Sequence, residues 1–468
     1  MCNIISVKHN FSPLTFLNRH KEIDRLNKAL TGSDPKLIVI YGRRRCGKST
    51  LIRQVLKPGD VYFLAQQTDP VLQRARLADA ISAIIPGFEK VSYPDWESLF
   101  INLRNASRNM FTLCLDEFPW LVKSDPALPG VLQQICDEGG QRKFHIILCG
   151  SSQQMMQGLV LDSTAPLYGR AHEMMKITPL EAGWIQDALQ CSPEQAVTEY
   201  AVWGGIPRYW ELRKEEDSTE TAIKNIILDR HGVLHEEPMR LFLDDMRESV
   251  QAFSLLSLIG TGSCRLTEIA ARLGKPASQL SRPLDHLIRL GYVRREIPYG
   301  EKEKNSKKSL YKIADPFMRF YFAFVVPDIS RLEMNLTEQV FDQIKGRLAG
   351  FVSEEWENLC RKSIPLQPVS GISFNLARRY WGHGINGQPV EVDIVAESSD
   401  KQTLLIGEYK WSDQVNARET MNELNKKIAL LPFAQNKTII PALFLKKKSD
   451  LPGITLFTPE EIITRLKI

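Results

Sequence analysis

Gly42-Arg43-Arg44-Arg45-Cys46-Gly47-Lys48-Ser49-Thr50 has the spacing G-x-x-x-x-G-K-[ST] and follows the apolar run Leu37-Ile38-Val39-Ile40. Glycines in such a loop let successive backbone N–H groups curl around phosphate oxygens, and the start of the next helix adds its positive dipole end. Lys48 then reaches β- and γ-phosphates, and the Ser49 hydroxyl ligates Mg²⁺. Phosphoryl transfer also needs acids. The run Phe111–Leu115 ends in Asp116-Glu117, which puts Asp116 near the metal and Glu117 where it can polarise a water. A third apolar run, Phe144–Cys149, ends in Gly150-Ser151-Ser152. Those hydroxyls sense the γ-phosphate or orient the water, or they sit in a plain loop. Arg170, after Pro166-Leu167-Tyr168-Gly169, is either an arginine finger, within the subunit or toward a neighbour, or an exposed structural arginine.

A second constellation lies near the C-terminus. Asp393, in Glu391–Ala396, and Glu408 and Lys410, in Leu404–Trp411, form D-x14-E-x-K. Glu408 and Lys410 share one face of a strand at period two, and Asp393 on the neighbouring strand can converge on them. Two carboxylates hold a divalent metal while the lysine activates water or steadies a phosphate. Glu357, on a helical stretch around Trp356–Cys360, is a further candidate ligand.

A third pattern lies between these two. Leu266–Gly274 reads as a short helix with N-cap Thr267 and a glycine stop. Ser278–Leu290 reads as a second helix with Leu280, Leu284, Leu287 and Ile288 inward, and Ser278, Gln279, Ser281, Arg282 and His286 outward. The strand-like Tyr292–Ile297 and the turn Gly300–Lys308 follow, the turn carrying Lys302, Lys304, Lys307 and Lys308. Helix, turn, helix and basic hairpin make a winged helix-turn-helix. Its second helix suits a major groove and its lysines neutralise phosphates, which makes DNA the expected partner. The bland alternative is a winged helix used for protein packing or oligomerisation. The aromatic residues of Tyr311–Phe320 are expected to fill that module's core.

The elements that must position these groups alternate in type. Lys36–Tyr41, Val61–Ala65, Phe111–Leu115 and Phe144–Cys149 read as buried strands between helical segments, the mark of an α/β domain with a parallel sheet. Residues 176–245 turn helical around the breaker Gly204-Gly205-Ile206-Pro207, and Pro327–Leu336 reads as a linker. A long helix pattern from about residue 340 precedes strands Pro389–Ala396 and Thr403–Lys410. The expected modules are 1–175, 176–245, 246–326 and 337–468. That division suits 468 residues of ordinary composition, 43% hydrophobic and 25% charged. A net charge of +5 is too diffuse to identify a partner by itself. Eight cysteines without a C-x-x-C pair argue against a zinc or disulfide framework. Met1–His9 lacks the apolar core of a signal peptide, and no run approaches the ~20 apolar residues of a membrane span. The expectation is a cytoplasmic protein.

Phe16-Leu17-Asn18-Arg19-His20-Lys21-Glu22-Ile23, the phosphate loop, Leu115-Asp116-Glu117, Gly150-Ser151-Ser152, Leu167-Tyr168-Gly169-Arg170 and Gly204-Gly205-Ile206-Pro207-Arg208-Tyr209 occur in this order. Together they resemble the archaeal-type ATPase family, in the STAND-like branch of the AAA+ superfamily, over roughly the first half of the chain. The resemblance implies ATP with Mg²⁺, Asn18 and Arg19 beside the adenine or ribose, and Gly205 and Pro207 across the base, coupling a helical lid to nucleotide state. The unfoldase type carries a second arginine motif in the lid, where this chain has Arg208. The C-terminal constellation resembles the PD-(D/E)XK nuclease fold, which often follows such an ATPase. The expected fold class is therefore α/β: a P-loop AAA+-like parallel sheet with a helical lid, a winged helix-turn-helix, and a C-terminal α/β restriction-endonuclease-like domain. The expected function is an ATP-hydrolysing, DNA-binding enzyme whose C-terminal module cuts DNA as a metal-dependent nuclease or grips it, with homo-oligomers one mode of assembly. The alternative is a nucleotide switch controlling assembly, its C-terminal domain an inactive binding platform.

Overall fold

The computed structural model describes residues 16–138, 142–245, 249–303, 306, 308–449 and 453–468. It divides into two compact units, one built on Arg19–Pro179 and the other on Leu180–Pro238 with the chain beyond residue 248; Asn18 belongs to the second.

In the first unit the leucine- and β-branched-rich runs become strands β1 (Leu37–Tyr41), β2 (Val61–Leu64), β3 (Phe111–Asp116) and β4 (Phe144–Gly150), joined by β5 (Glu173–Lys176). All pair in parallel, in the order β2-β3-β4-β1-β5. Parallel strands covered on both faces need no polar alternation, and every residue of β3 and β4 is buried. Leu77, Trp96, Phe100 and Leu132, from the flanking helices, join Leu37, Leu113, Ile146 and Leu148 in one core. The consequence for function is positional. Tyr41 lies in register with Gly150, and Leu115 with Leu148, so the loops starting at Gly42, Glu117 and Ser151 emerge side by side at the carboxyl ends of the strands.

The second unit begins with helices Gly183–Leu189, Pro193–Trp203 and Pro207–Lys214. Its winged helix comprises helices Ser249–Gly260, Leu266–Leu273 and Ala277–Leu290 with the antiparallel hairpin β6 (Val293–Glu296) and β7 (Leu310–Ile313). Two local expectations change. The first of the two helices read from the sequence starts at Leu266, with Arg265 rather than Thr267 as cap residue, because Glu268 accepts from the Arg265 N–H at 3.3 Å. On the second, Leu290 is buried where Ile288 was expected, since Ile288 is only half-buried. Tyr311, Phe317 and Phe320 are buried, as core residues should be. The linker expected over Pro327–Leu336 contains the helical turn Ile329–Glu333 with Leu332 fully buried; a buried leucine anchors that stretch to the fold.

The C-terminal part runs from the 27-residue helix Thr337–Ser363 through β8 (Arg378–His383), β9 (Pro389–Glu397) and β10 (Thr403–Lys410), then helix Ala417–Leu430, β11 (Thr438–Leu445) and β12 (Thr455–Phe457). The sheet order is β12-β11-β10-β9-β8, antiparallel from β8 to β10 and parallel from β10 to β12. Val392, Leu404, Ile406 and Leu443 pack on Met421 and Leu424 of the crossover helix. Among the described residues, no helix is long and apolar enough to cross a membrane.

Candidate functional site

At the phosphate loop, Gly42 (φ 142°) and Gly47 (φ 87°) adopt conformations that side chains rarely take. At Gly42 a Cβ would also collide with the Ile177 carbonyl. Between them Arg43 and Cys46 are buried and Arg44 is exposed, while Arg45 holds φ 68°; Thr50 faces outward from the helix Lys48–Val55. Lys48 is buried and donates from Nζ to the carbonyls of Gly42 (2.9 Å) and Arg43 (3.0 Å), so its ammonium sits at the mouth of the loop.

Asp116, at the end of β3 and 1% exposed, meets this loop directly: Ser49 Oγ donates to its Oδ2 at 2.7 Å. Tyr62 on β2 donates to the same oxygen, and the Glu117 N–H donates to Oδ1 at 2.9 Å. Burial alone would raise this carboxyl, but the hydrogen bonds from Cys149, Tyr62, Ser49 and Glu117 outweigh it and hold the group below its ordinary value. A buried, ionised carboxylate touching a serine hydroxyl is a hard oxygen site suited to Mg²⁺. Glu117 stands next to it with φ 52°, and Ser151 Oγ donates to both its carboxylate oxygens, at 2.7 and 2.8 Å. The hydroxyl after β4 therefore grips Glu117, the acid next to Asp116. Ser152 is spent locally, capping the turn Gln153–Met156.

Other expected residues stand elsewhere. The Arg170 guanidinium pairs with Asp137 through two contacts, Nε–Oδ1 at 2.7 Å and NH2–Oδ2 at 2.8 Å, and donates to the Pro166 carbonyl at 3.0 Å. That bidentate grip favours the structural reading of this arginine. Arg19, in the first unit, is 7% exposed and pairs with Glu22 at 2.9 Å while donating to the Thr178 carbonyl. Asn18, in the second, donates to the Ile468 carbonyl at 2.8 Å. Gly205 accepts from the Leu180 N–H at 2.7 Å and leaves no room for a Cβ against the Leu180 carbonyl; Pro207 opens the helix Pro207–Lys214. Arg208 pairs with Glu211 at 2.9 Å.

On the winged helix, Ser278, Gln279, Ser281 and Arg282 are exposed along one helix, and Lys302 is exposed in the wing. Lys308 is paired with Glu301 at 2.7 Å, and Glu303 with Arg378 at 2.8 Å, so acids within the wing offset part of its charge. Lys304 and Lys307 lie outside the described residues.

In the C-terminal sheet, Gly407 of β10 faces Ile394 of β9, which sets Glu408 opposite Asp393 on one face. Asp393 Oδ2 accepts from the Tyr409 N–H at 3.3 Å. Glu408 is approached by Lys410 at 3.4 Å and by Lys427, from the crossover helix, at 2.8 Å. No sequence motif pointed to Lys427. Glu357 departs from expectation: it is buried, paired with Arg379 at 3.0 Å and also with Arg361, so two guanidiniums already neutralise it. Among the described residues, no three groups of ligand type stand close enough to share one ion, and Asp393 with Glu408 is the carboxylate pair that remains. Arg379 and Arg361 also approach Glu296 of β6, at 3.8 and 3.6 Å, so the wing and this sheet share one charged network.

Burial first, and then the Glu408 and Glu357 carboxylates, push the Asp393 carboxyl up to about 7. A carboxyl raised on folding takes up a proton, so its contribution is full below its unfolded value, about pH 4, and is lost as pH rises through 7. Asp393→Asn removes that penalty. After discounting for the partial exposure of Asp393, the variant is expected to be more stable than wild type by roughly 1–3 kcal/mol near pH 8 and to match it near pH 4. Thermal melts at the two pH values check this.

Comparison with known proteins places these features among relatives. Residues 16–210 match a family described as an ATPase domain predominantly from Archaea. Residues 251–296 match the IclR helix-turn-helix domain, and residues 321–423 match archaeal and bacterial proteins of unknown function. An uncharacterized protein of Methanocaldococcus jannaschii is 30% identical over 408 residues, covering 85% of this chain and 88% of the relative. Among solved structures, a Walker-type ATPase of Pyrococcus abyssi is similar at 19% identity and a TM-score of 0.49, over 66% of this chain and 98% of that one. The ORC2 protein of Aeropyrum pernix, solved in ADPNP–ADP complexes, is similar at 15% identity and a TM-score of 0.41, over 70% and 97%.

Proposed function

The chain belongs to the archaeal-type ATPase family, and on that premise we propose that it binds and hydrolyses ATP, holds DNA through its winged helix and cuts DNA with its C-terminal module. These roles are assigned to the modules expected from the sequence, 1–175, 176–245, 246–326 and 337–468. The observation that carries the reading is the 2.7 Å contact between Ser49 and Asp116, with Glu117 at the next position. Lys48 exchanges its two carbonyl partners for β- and γ-phosphate oxygens, stronger acceptors because they are charged. Ser49 and Asp116 would hold Mg²⁺, which would supply positive charge to neutralise charge developing on the phosphates. Glu117, released from Ser151, accepts the proton that the attacking water gives up. Equilibrium titration with ATP tests this first step. Lys48→Ala is expected to bind at least about 10-fold more weakly than wild type, the scale of losing charge-assisted hydrogen bonds.

The DNA reading is supported by the exposed row Ser278, Gln279, Ser281 and Arg282 and by the exposed Lys302. Duplex titration over a salt series tests it. Each phosphate contact releases counterions, so affinity falls steeply with salt, and Arg282→Ala or Lys302→Ala each flatten the log–log slope by about 1. Weak binding without salt dependence contradicts it and favours a protein-packing role for the wing.

For the C-terminal module the support is an order of elements, helix, three antiparallel strands, helix and parallel strand, with Asp393, Glu408 and Lys410 gathered where β9 meets β10. Asp393 and Glu408 would hold a divalent cation, whose chemistry there is to polarise the scissile phosphate and a bound water. Lys410 steadies the phosphate, and Lys427 holds Glu408 in place.

A further inference from the structure

We propose that Tyr62 is a positioning residue for the divalent metal of the nucleotide site, its hydroxyl fixing the Asp116 carboxylate in the orientation that lets Ser49 and Asp116 act on one ion. The inference rests on the ATP reading above. It starts from where the donors to Asp116 come from. Ser49 belongs to the helix after the phosphate loop, Tyr62 to β2, Cys149 to β4, and the Glu117 N–H to the chain itself. The carboxylate is thus held from both neighbouring strands as well as from the loop it serves. Its Oδ2 takes two hydroxyls, Ser49 at 2.7 Å and Tyr62 at 2.5 Å.

The two hydroxyls are not equivalent. Ser49 gives its proton to Asp116 and keeps its lone pairs for a cation, so it moves with the ligand shell. Tyr62 has no such second task. It is fixed by its place on β2, in register with Cys114 one residue before Leu115, and by the Arg53 guanidinium 5.0 Å above its ring. A phenylalanine would fill the same space and keep the stacking. What the hydroxyl adds is an immobile donor on Oδ2, which stops the carboxylate rotating when Ser49 turns toward a metal. Groups that orient a ligand in this way typically cost 10–100-fold in metal affinity when removed. The position carries no motif, because the contact joins residues 54 apart in sequence.

The experiment is Tyr62→Phe on the full chain, with ATP affinity measured in EDTA and across a Mg²⁺ titration. The expected result is an ATP affinity in EDTA within about twofold of wild type, together with a rise of roughly 10-fold or more in the Mg²⁺ concentration giving half of the metal-dependent gain. Ser49→Ala, measured beside it, is expected to raise the same quantity and guards against a folding defect peculiar to the Tyr62 variant. A wild-type Mg²⁺ response in Tyr62→Phe overturns the inference alone. So does an equal loss with and without metal, which marks a purely structural hydroxyl. A wild-type chain that binds no ATP in either buffer overturns the ATP reading, and this inference with it.

Discussion

Supercoiled plasmid incubated with the wild-type chain and Mg²⁺ or Mn²⁺ is expected to be cut, and Asp393→Ala or Lys410→Ala to leave it intact. The expected loss is at least about 100-fold, for reasons that lie in the register of two strands. Asp393 and Glu408 face each other across β9 and β10, so each would supply half of a two-carboxylate ligand set. Removing Asp393 leaves Glu408 between two lysines, a site with no net attraction for a cation. Removing Lys410 leaves the carboxylates but withdraws a cation from the strand end where a phosphate would lie. The Asp393→Asn melts make the first loss interpretable, since that substitution is expected to stabilise the fold near pH 8 while abolishing cleavage. If the wild type fails to cut under any ATP condition, the module is a binding platform and the chain a nucleotide-controlled switch.

The second large effect is at the ATP site. Glu117→Gln is expected to bind ATP as wild type does and to turn it over 10²–10⁴-fold more slowly, the usual range for removing a positioned base. Single-turnover phosphate release measures it. The substitution is conservative in structure because Gln keeps an oxygen to accept from Ser151, whose hydroxyl now spans both Glu117 oxygens. It is not conservative in chemistry, because an amide cannot take a proton from water. A Glu117→Gln chain with wild-type turnover would show that the acid after Asp116 is not the base.

The parts of the molecule legible in sequence are those where one local pattern suffices. The phosphate loop, the Asp116-Glu117 strand end and strands β1 to β4 each announce themselves within a few residues; β1, β3 and β4 lie inside the sheet, and a parallel strand buried on both faces must be apolar throughout. β5 escapes that logic: Glu173-Met174-Met175-Lys176 is an edge strand with charged ends. So does β8, whose Arg378-Arg379-Tyr380-Trp381 is half-exposed. Contacts between distant positions leave no local trace. Nothing in the spacing tells that Arg379 and Arg361 take Glu357 away from a metal, that Lys427 reaches Glu408, or that Tyr62 donates to Asp116. The wing shows a subtler limit. Counting its lysines overstated its charge, because Glu301 in the same turn pairs with Lys308. Ser151 was legible as a candidate but not in its task, since the grip on Glu117 depends on β3 and β4 being neighbours.

Every role proposed for this chain rests on Lys48, Ser49, Asp116 and Glu117 forming a working ATP site. Steady-state phosphate release from Mg²⁺·ATP, by the wild-type chain and by Lys48→Ala side by side, tests this most directly. The prediction is measurable turnover by the wild type and a loss of at least about 100-fold in the variant. Equal release by the two proteins would contradict it.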